Sequence, residues 1–433
     1  MSVDIPTAPF VNTRDWRDSV PGLLLPFLTG ALFFRNNFPG VEAGLLITFL
    51  FNFAVCGHSR IEGRATSIIM AVYLLMISAV VGNVVSAEQK AVSLVSLLLK
   101  FFIFFALVFT SYSRGQLVAL LRGFIAGGVV SSVLMVLNFF GFIDISPPSP
   151  FRNYVEIRQS AFMGDPNVVG AFLVFAIVLS HHHLRAFSQD GIGGGPSALL
   201  RRLVVAVLVV GLLLTFSRAA WINLVVSMVL YGLIVNVVLR RDAVRLLLAS
   251  AFAMILVAAV VAVRATTDWL DLFFDRFDPD LISEATFLRA DTQRQVLQAF
   301  FDSDVISQLF GHGAYSSELI TGMPPHLTPL QILYEAGIIS FALVLVIGLL
   351  VMARAMKFAR REPAVLPVIP PCLVGLLLNS GAIDIFYWRL PWLMIALVVV
   401  FACIPRVRHS VSEVVGAAAG VSPVITGGAH GLR

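Results

Sequence analysis

Residues 203–238 read LVVAVLVVGLLLTFSRAAWINLVVSMVLYGLIVNVV, two apolar runs (203–216 and 219–238) on either side of Ser217 and Arg218. Each run approaches the length of about 20 residues that a helix needs to cross the hydrocarbon core of a bilayer. The whole chain is 58% hydrophobic and 13% charged, whereas a soluble domain has roughly a quarter of its residues charged. The sequence therefore predicts a helical integral membrane protein.

Similar apolar runs recur along the chain, separated by short polar breaks. They predict an all-α polytopic membrane protein, a bundle of about twelve transmembrane helices, because the period-two alternation of a membrane β-barrel is absent. We expect N-terminal membrane helices in 1–150, a core in 151–350 with a long periplasmic loop at about 264–326, and C-terminal helices with a cytoplasmic tail in 351–433. The predicted spans are 21–34, 41–56, 66–84, 92–112, 123–140, 166–184, 203–216, 219–238, 246–263, 327–353, 364–381 and 390–404.

The distribution of basic residues predicts the orientation. Most of the 30 Lys and Arg fall in loops that are cytoplasmic if the N-terminus is cytoplasmic, so the positive-inside rule places both termini there. The net charge of +5 is explained by this bias, and no nucleic-acid partner is predicted. The three cysteines have no C-x-x-C spacing, which gives no support for a disulfide framework or a thiolate metal site. No cleavable signal peptide is expected, so the first span should remain.

Two residues of the outer side are candidates for chemistry. Arg218 lies between two spans, where an ionisable group is costly unless it is paired or lines a wet cavity. A snorkelling arginine at a tight helical hairpin explains it equally well. His326 follows Pro324-Pro325, where a neutral imidazole can take a proton from a sugar hydroxyl. A helix-capping histidine is the more common alternative for such a position.

Four further arginines lie in the two long outer loops. Arg289 and Arg294 share a helix predicted for residues 284–301. Arg152 and Arg158 lie in the other loop, before the predicted span 166–184. Guanidinium groups suit pyrophosphate oxygens, although pairing with nearby carboxylates is the alternative. Three other motifs are interpreted as structural. His181-His182-His183 cannot hold one metal ion from a helix, because consecutive helical side chains diverge by about 100°. Asp278-Pro279-Asp280 is interpreted as a turn, and Gly164-Asp165-Pro166-Asn167 as a helix start.

Taken together, these motifs resemble the O-antigen ligase and polymerase superfamily of bacterial envelope glycosyltransferases, mainly over residues 150–345. In the ligase branch the histidine is usually followed by a polar residue, nine others and then glycine with a small or aromatic residue three positions on. Here the spacing holds between His326 and Gly337, while Leu327 and Ser340 depart from the pattern. The resemblance rests on Arg152 and Arg158 before Gly164-Asp165-Pro166-Asn167, Ser217-Arg218, Phe310-Gly311-His312-Gly313, and His326 with Gly337.

The resemblance implies transfer of a glycan from undecaprenyl pyrophosphate to a sugar hydroxyl at the periplasmic face of the bacterial inner membrane, with inversion and without a metal ion or cofactor. His326 and Arg218 would be catalytic, and Arg289, Arg294, Arg152 and Arg158 would bind pyrophosphate or glycan. A ligase would use lipid A core as acceptor, whereas a polymerase would extend the glycan on its carrier in polysaccharide biosynthesis. A secondary transporter or flippase is the alternative from a different class, although few acidic residues lie inside the spans.

Overall fold

The computed structural model describes residues 50, 54, 66–85, 91–110, 112, 114–145, 159–163, 165–189, 198–239, 279–359, 367–381 and 383–403. Within these ranges the chain is helical and contains no β-strand, which confirms the all-α prediction. A 3₁₀ turn, Ala161–Met163, precedes α4. The helices are α1 (Thr66–Val85), α2 (Ala91–Phe109), α3 (Arg114–Phe139), α4 (Pro166–Gln189), α5 (Ala198–Leu214), α6 (Arg218–Leu239), α7 (Pro279–Asp302), α8 (Val305–Phe310), α9 (Ser316–Thr321), α10 (Thr328–Phe358), α11 (Ile369–Ser380) and α12 (Arg389–Cys403).

Four of the described helices are long and apolar enough to cross a membrane: α1, α3, α6 and α10. Shorter apolar helices fall in α2, α4, α11 and α12. The predicted spans 21–34 and 246–263 lie outside the described residues, as does the span 41–56 except for residues 50 and 54. The chain therefore has the character of a membrane protein, while the number of spans stays a prediction.

The helices pack in pairs that are distant in sequence. The closest partners are α1 with α10, α6 with α11 and α2 with α12, and α5 packs against both α3 and α4. Small residues permit these approaches, since Gly375 of α11 faces Asn223 and Ser227 of α6. Close backbone contact through small residues is typical of helix pairs in lipid, where burial of apolar surface gives no driving force.

From Pro279 onward, the predicted outer loop folds into three helices, α7 to α9, that precede α10. The helix predicted for 284–301 is confirmed, because α7 runs from Pro279 to Asp302. It packs on the first part of α10 through a cluster of Val296, Phe300, Leu330 and Tyr334. Helices α7 to α9 thus form a layer on the start of α10.

Helix α10 is broken at Gly337, whose φ of 80° and ψ of 172° are not helical. The break frees carbonyl groups that the loop after α8 satisfies: the His312 N–H donates to the Tyr334 carbonyl at 3.0 Å, and the Gly313 N–H donates to the Glu335 carbonyl at 2.9 Å. A Cβ on Gly337 would overlap the Leu309 carbonyl. The sequence predicted one continuous span here, and the structure divides it into 328–336 and 338–358.

We expect Gly82→Ala to lower the free energy of unfolding by about 1–3 kcal/mol. Gly82 lies in the last turn of α1 against the Phe310 carbonyl oxygen, which an added methyl group would overlap. Gly348→Ala on α10 is the matched control, because nothing lies within 4 Å of its added Cβ. Thermal unfolding in detergent measures both variants, and equal midpoints would show that the contact between α1 and α8 is not tight.

Candidate functional site

His326 lies directly before α10 with a left-handed backbone, at φ 53°. Its N–H donates to Oδ2 of Asp384 at 3.1 Å, and its ring Nδ1 lies 3.7 Å from the same oxygen. The second distance is longer than a hydrogen bond, so the carboxylate holds the backbone of His326 more closely than its ring. The cap of α10 is Leu327, which makes no side-chain capping bond. His326 is therefore not the capping residue, and its strained backbone is the kind found at functional sites.

The segment that carries Asp384 is fastened to the start of α10. The Thr328 hydroxyl donates to the Ile383 carbonyl at 2.7 Å and accepts the Ile385 N–H at 2.8 Å. These two bonds lie on either side of Asp384 and fix its position opposite His326. Burial, followed by the nearby acids Glu318 and Asp165, raises the pKa of Asp384 to about 7, against the opposing N–H donors of His326 and Leu327.

Arg218 is the first residue of α6 and is half-buried. The turn before it is tight, with Phe216 in a left-handed backbone at φ 47°. The Ser217 hydroxyl donates to Oδ1 of Asn167 at 2.8 Å, and the Asn167 N–H donates to Oδ1 of Asp165 at 2.7 Å. Within the predicted motif, Asp165 and Asn167 therefore lie at the start of α4 as expected, while Gly164 is outside the described residues. The starts of α4 and α6 meet, which places two helix N-termini, favourable to anions, beside Arg218.

Arg289 reaches the same place from α7. Burial and the Arg218 guanidinium lower the pKa of Arg289, while the Asp384 carboxylate opposes them. Burial and Arg289 in turn lower the pKa of His326 below its usual value of 6.5, against the opposing charge of Asp165. The structure thus brings Arg218, Arg289 and His326 together. At neutral pH the imidazole is neutral and the two arginines are cations.

The packing of α7 explains why Arg289 reaches the cluster. Arg289, Gln293, Val296 and Phe300 follow one another at helical spacing and form one stripe. The last two pack on α10, and the Gln293 amide donates to the Pro325 carbonyl at 3.2 Å, directly before His326. Arg294 is not on this stripe, and its side chain is exposed.

His312 of the Phe310-Gly311-His312-Gly313 motif fixes the far end of α7. Its ring stacks on Tyr334 with the centroids 4.2 Å apart and the planes 4° from parallel. Its Nε2 lies 2.9 Å from the Ser303 hydroxyl, beyond the end of α7. This histidine therefore joins α7 to α10 and belongs to the framework of the site.

A buried carboxylate, Glu335, joins the loop after α8 to the segment before α12. It accepts the Tyr315 N–H at 3.0 Å, the Tyr387 hydroxyl at 2.6 Å and the Ser317 hydroxyl. The rings of Tyr315 and Tyr387 stack with their centroids 4.6 Å apart. Neighbouring Glu318 is half-buried, and burial raises its pKa. Glu335 and Glu318 both lie near enough to Asp384 to interact with it electrostatically.

The other predicted site residues have mixed outcomes. Arg152 and Arg158 lie outside the described residues. His182 forms a bond from Nδ1 to the Tyr231 hydroxyl at 2.5 Å, within the bundle. Among the residues that the structure describes, no three His, Cys, Asp or Glu side chains are grouped as metal ligands. Asp384 was missed by sequence reasoning, and its one signal was an isolated acid between two apolar runs.

No protein-family model matches the chain, and the search of curated proteins finds no match.

Proposed function

We propose that the chain is a membrane glycosyltransferase of the O-antigen ligase type. It moves a glycan from a polyprenyl pyrophosphate carrier to a sugar hydroxyl, with lipid A core as the acceptor. The observation that carries the proposal is the meeting of a neutral histidine, a carboxylate and two arginines at the start of α10. A base beside a pair of cations is what transfer from a pyrophosphate requires.

The proposed step makes one bond and breaks one. His326 takes the proton of the acceptor hydroxyl through Nε2, the ring nitrogen remote from Asp384. The acceptor oxygen bonds to the anomeric carbon from the face opposite the pyrophosphate, and the bond from that carbon to the pyrophosphate oxygen breaks. The configuration inverts. Arg218 and Arg289 stabilise the charge that develops on the leaving group, and Asp384 stabilises the imidazolium.

The same cluster favours an anionic ligand on electrostatic grounds. Two cations held close together repel, and burial increases the cost because water no longer screens them. An anion between Arg218 and Arg289 removes this repulsion and gains charge-assisted hydrogen bonds. The removal of this repulsion favours a pyrophosphate at that position. Secondary transport gains no comparable support from the described residues.

The finer topology belongs to the same proposal. We propose a bundle of about twelve spans in the bacterial inner membrane, with both termini cytoplasmic and the segment from 264 to 326 in the periplasm. The four apolar helices α1, α3, α6 and α10 support the membrane character alone. The proposed site would then face the compartment in which carrier-linked glycans are used.

Transfer in vitro tests the function. Purified protein in detergent receives undecaprenyl-pyrophosphate-linked oligosaccharide and lipid A core, with a chelator present. We expect glycosylated lipid A core from the wild type and a loss of about 10²–10³-fold in Arg218→Ala. Product lengthened on the carrier would instead identify a polymerase. Transfer that needs an added metal ion, or that ignores Arg218→Ala, would contradict the mechanism.

The pH dependence of the wild type should follow Asp384. Its pKa is raised to about 7, so the carboxyl group is protonated below that pH and no longer balances the imidazolium. We expect kcat/KM to fall as the pH falls through about 7. In Asp384→Asn the rate should drop by roughly tenfold to a hundredfold, a part of what proton transfer contributes. The pH profile of Asp384→Asn should keep an acid limb below pH 6.5, because the pKa of His326 is lowered from that value.

Asp291→Asn is the control for this profile, because Asp291 is an exposed carboxylate on α7 that bonds to Gln295. It should change neither the rate nor the acid limb. An unchanged limb near pH 7 in Asp384→Asn would assign that titration to another group.

A further inference from the structure

Five large apolar side chains are exposed at the corner between α7 and α8. We call them the corner patch: Leu297, Phe301, Val305, Ile306 and Leu309. Phe301 is 66% exposed and Val305 is 69% exposed. Scattered apolar side chains are normal on a protein surface, but a contiguous group within thirteen positions of one corner marks a binding surface.

The corner patch is amphipathic. On α7, Leu297 and Phe301 are four residues apart and share a face. On α8, Val305, Ile306 and Leu309 lie within an arc of roughly 100°. The polar groups of the corner are used locally: Asp304 caps α8 by accepting the N–H groups of Ile306 and Ser307. The apolar face is therefore presented by two rigid elements.

The contacts of α8 fix its level along the bundle. The Phe310 carbonyl lies against Gly82 near the end of α1, and the Leu309 carbonyl lies against Gly337 at the break in α10. Residues 338–358 form a helix of about 30 Å, and α1, with 20 residues, has the same length. If these two helices span the hydrocarbon core, which is about 30 Å thick, α8 lies at its boundary.

The corner patch continues the apolar surface of the spans. Below the level of α8, α1 exposes Tyr73, Leu74 and Ile77, and α10 exposes Leu345 and Leu349. Side chains of this kind face lipid in a membrane helix. The patch lies at the end of that surface, where acyl chains meet headgroups.

Arg294 lies on the same face of α7 as the patch. It precedes Leu297 by three residues and Phe301 by seven, which places it about 10 Å farther along the helix. Its side chain is exposed. Helices that lie in a membrane interface carry a basic residue beside an apolar stripe. The cation of that residue contacts lipid phosphate.

We propose that the corner between α7 and α8 is an interfacial anchor whose partner is the bilayer itself. The corner patch enters the boundary between headgroups and acyl chains, and Arg294 contacts lipid phosphates. The anchor sets the level of α7 and does not depend on the proposed chemistry. A second copy of the chain, or another segment of this one, would cover the same patch without lipid contact.

Depth-dependent quenching tests the anchor in the full chain. Cys56, Cys372 and Cys403 are replaced by serine, and one cysteine is introduced by Ile306→Cys, Arg294→Cys or Gln295→Cys and labelled with the fluorophore NBD. Gln295 is exposed on another face of α7 and is the matched control. The proteins are reconstituted in vesicles of phosphatidylethanolamine and phosphatidylglycerol, with nitroxides on the headgroup or the acyl chain, or with iodide in the water.

We expect acyl nitroxide to quench position 306 more than iodide does, headgroup nitroxide to quench position 294 most, and iodide to quench position 295 most. Quenching of position 306 mainly by iodide would place the corner in water. A blue-shifted label at 306 that neither lipid nitroxide nor iodide quenches would show that protein covers the patch. Either result overturns the proposal. Val305→Cys probes the same face if Ile306→Cys does not elute as a single folded species.

Discussion

Replacement of His326 by alanine is expected to lower glycan transfer by about 10²–10⁴-fold, the contribution of a positioned general base. The imidazole is positioned by the left-handed backbone of His326 and by the hydrogen bond that the backbone N–H of His326 donates to Asp384. Burial and Arg289 keep the ring neutral at physiological pH, so it can accept the acceptor proton. Alanine removes the base and leaves both arginines, so the affinity for the lipid-linked donor should be unchanged.

Initial rates of transfer and donor binding, measured by native mass spectrometry in the same detergent, check this result. His181→Ala is the matched control, since His181 lies far along α4 beside Tyr231. It should retain the wild-type rate. A His326→Ala protein that still transfers within about threefold of wild type would show that another group takes the proton. If the protein were a transporter, His326→Ala would still move lipid-linked glycan across the membrane of reconstituted vesicles.

Arg289→Ala and Arg294→Ala are expected to differ strongly, although the residues are five positions apart on one helix. Loss of Arg289 should cost about 10²–10³-fold in kcat, the usual effect of removing one donor to a developing oxyanion. Its guanidinium is half-buried and close to Arg218, His326 and Asp384. Arg294 is exposed on another face, so Arg294→Ala should transfer within about threefold of wild type.

The variant Arg289→Lys tests whether the charge of Arg289 is sufficient or its planar guanidinium group is required. Lysine keeps the charge but loses the planar fork that holds two phosphate oxygens, so we expect partial recovery of the rate lost in Arg289→Ala. Equal losses in the two alanine variants would mean that both arginines reach the donor and that α7 rotates or bends when it binds. A loss confined to Arg294→Ala would overturn the assignment of Arg289.

The helical class could be predicted from the sequence, and Arg218 and His326 could be singled out as candidates, because each has a local cause. Apolar runs of bilayer length must hydrogen-bond within themselves, and this requires helices. Arg218 interrupts such a run, and His326 follows a rigid Pro-Pro pair, so both are conspicuous in one dimension. The helix start at Asp165 also depends only on neighbours in sequence.

The choice between Arg289 and Arg294 could not be made in that way. Helix α7 carries two apolar stripes, one through Val296 and Phe300 and one through Leu297 and Phe301. Either could face the core, and only the packing on α10 shows that the first does. Asp384 and Glu335 are isolated acids, whose hydrogen-bond partners lie 58 residues away for Asp384 and 18 or more residues away for Glu335. Such contacts exist only once the fold has formed.

The break at Gly337 was also beyond prediction. An apolar stretch with one glycine is compatible with an unbroken span, since glycine alone costs a helix only about 1 kcal/mol. What requires the break is the backbone of residues 309–311, which lies where a side chain would be. The requirement for the break at Gly337 therefore comes from another part of the chain.

The pairing of α1 with α10 has a consequence for biosynthesis. Ser340 bonds to Ser78 across 262 positions, and the Ala314 N–H bonds to Asn83 across 231. At about 5–20 residues per second, the ribosome adds α10 on the order of ten to fifty seconds after α1. During that interval the side chains of Ser78 and Asn83 in α1 lack these hydrogen-bond partners. A chain truncated before α10 would leave the Ser78 hydroxyl and the Asn83 side-chain oxygen without these partners.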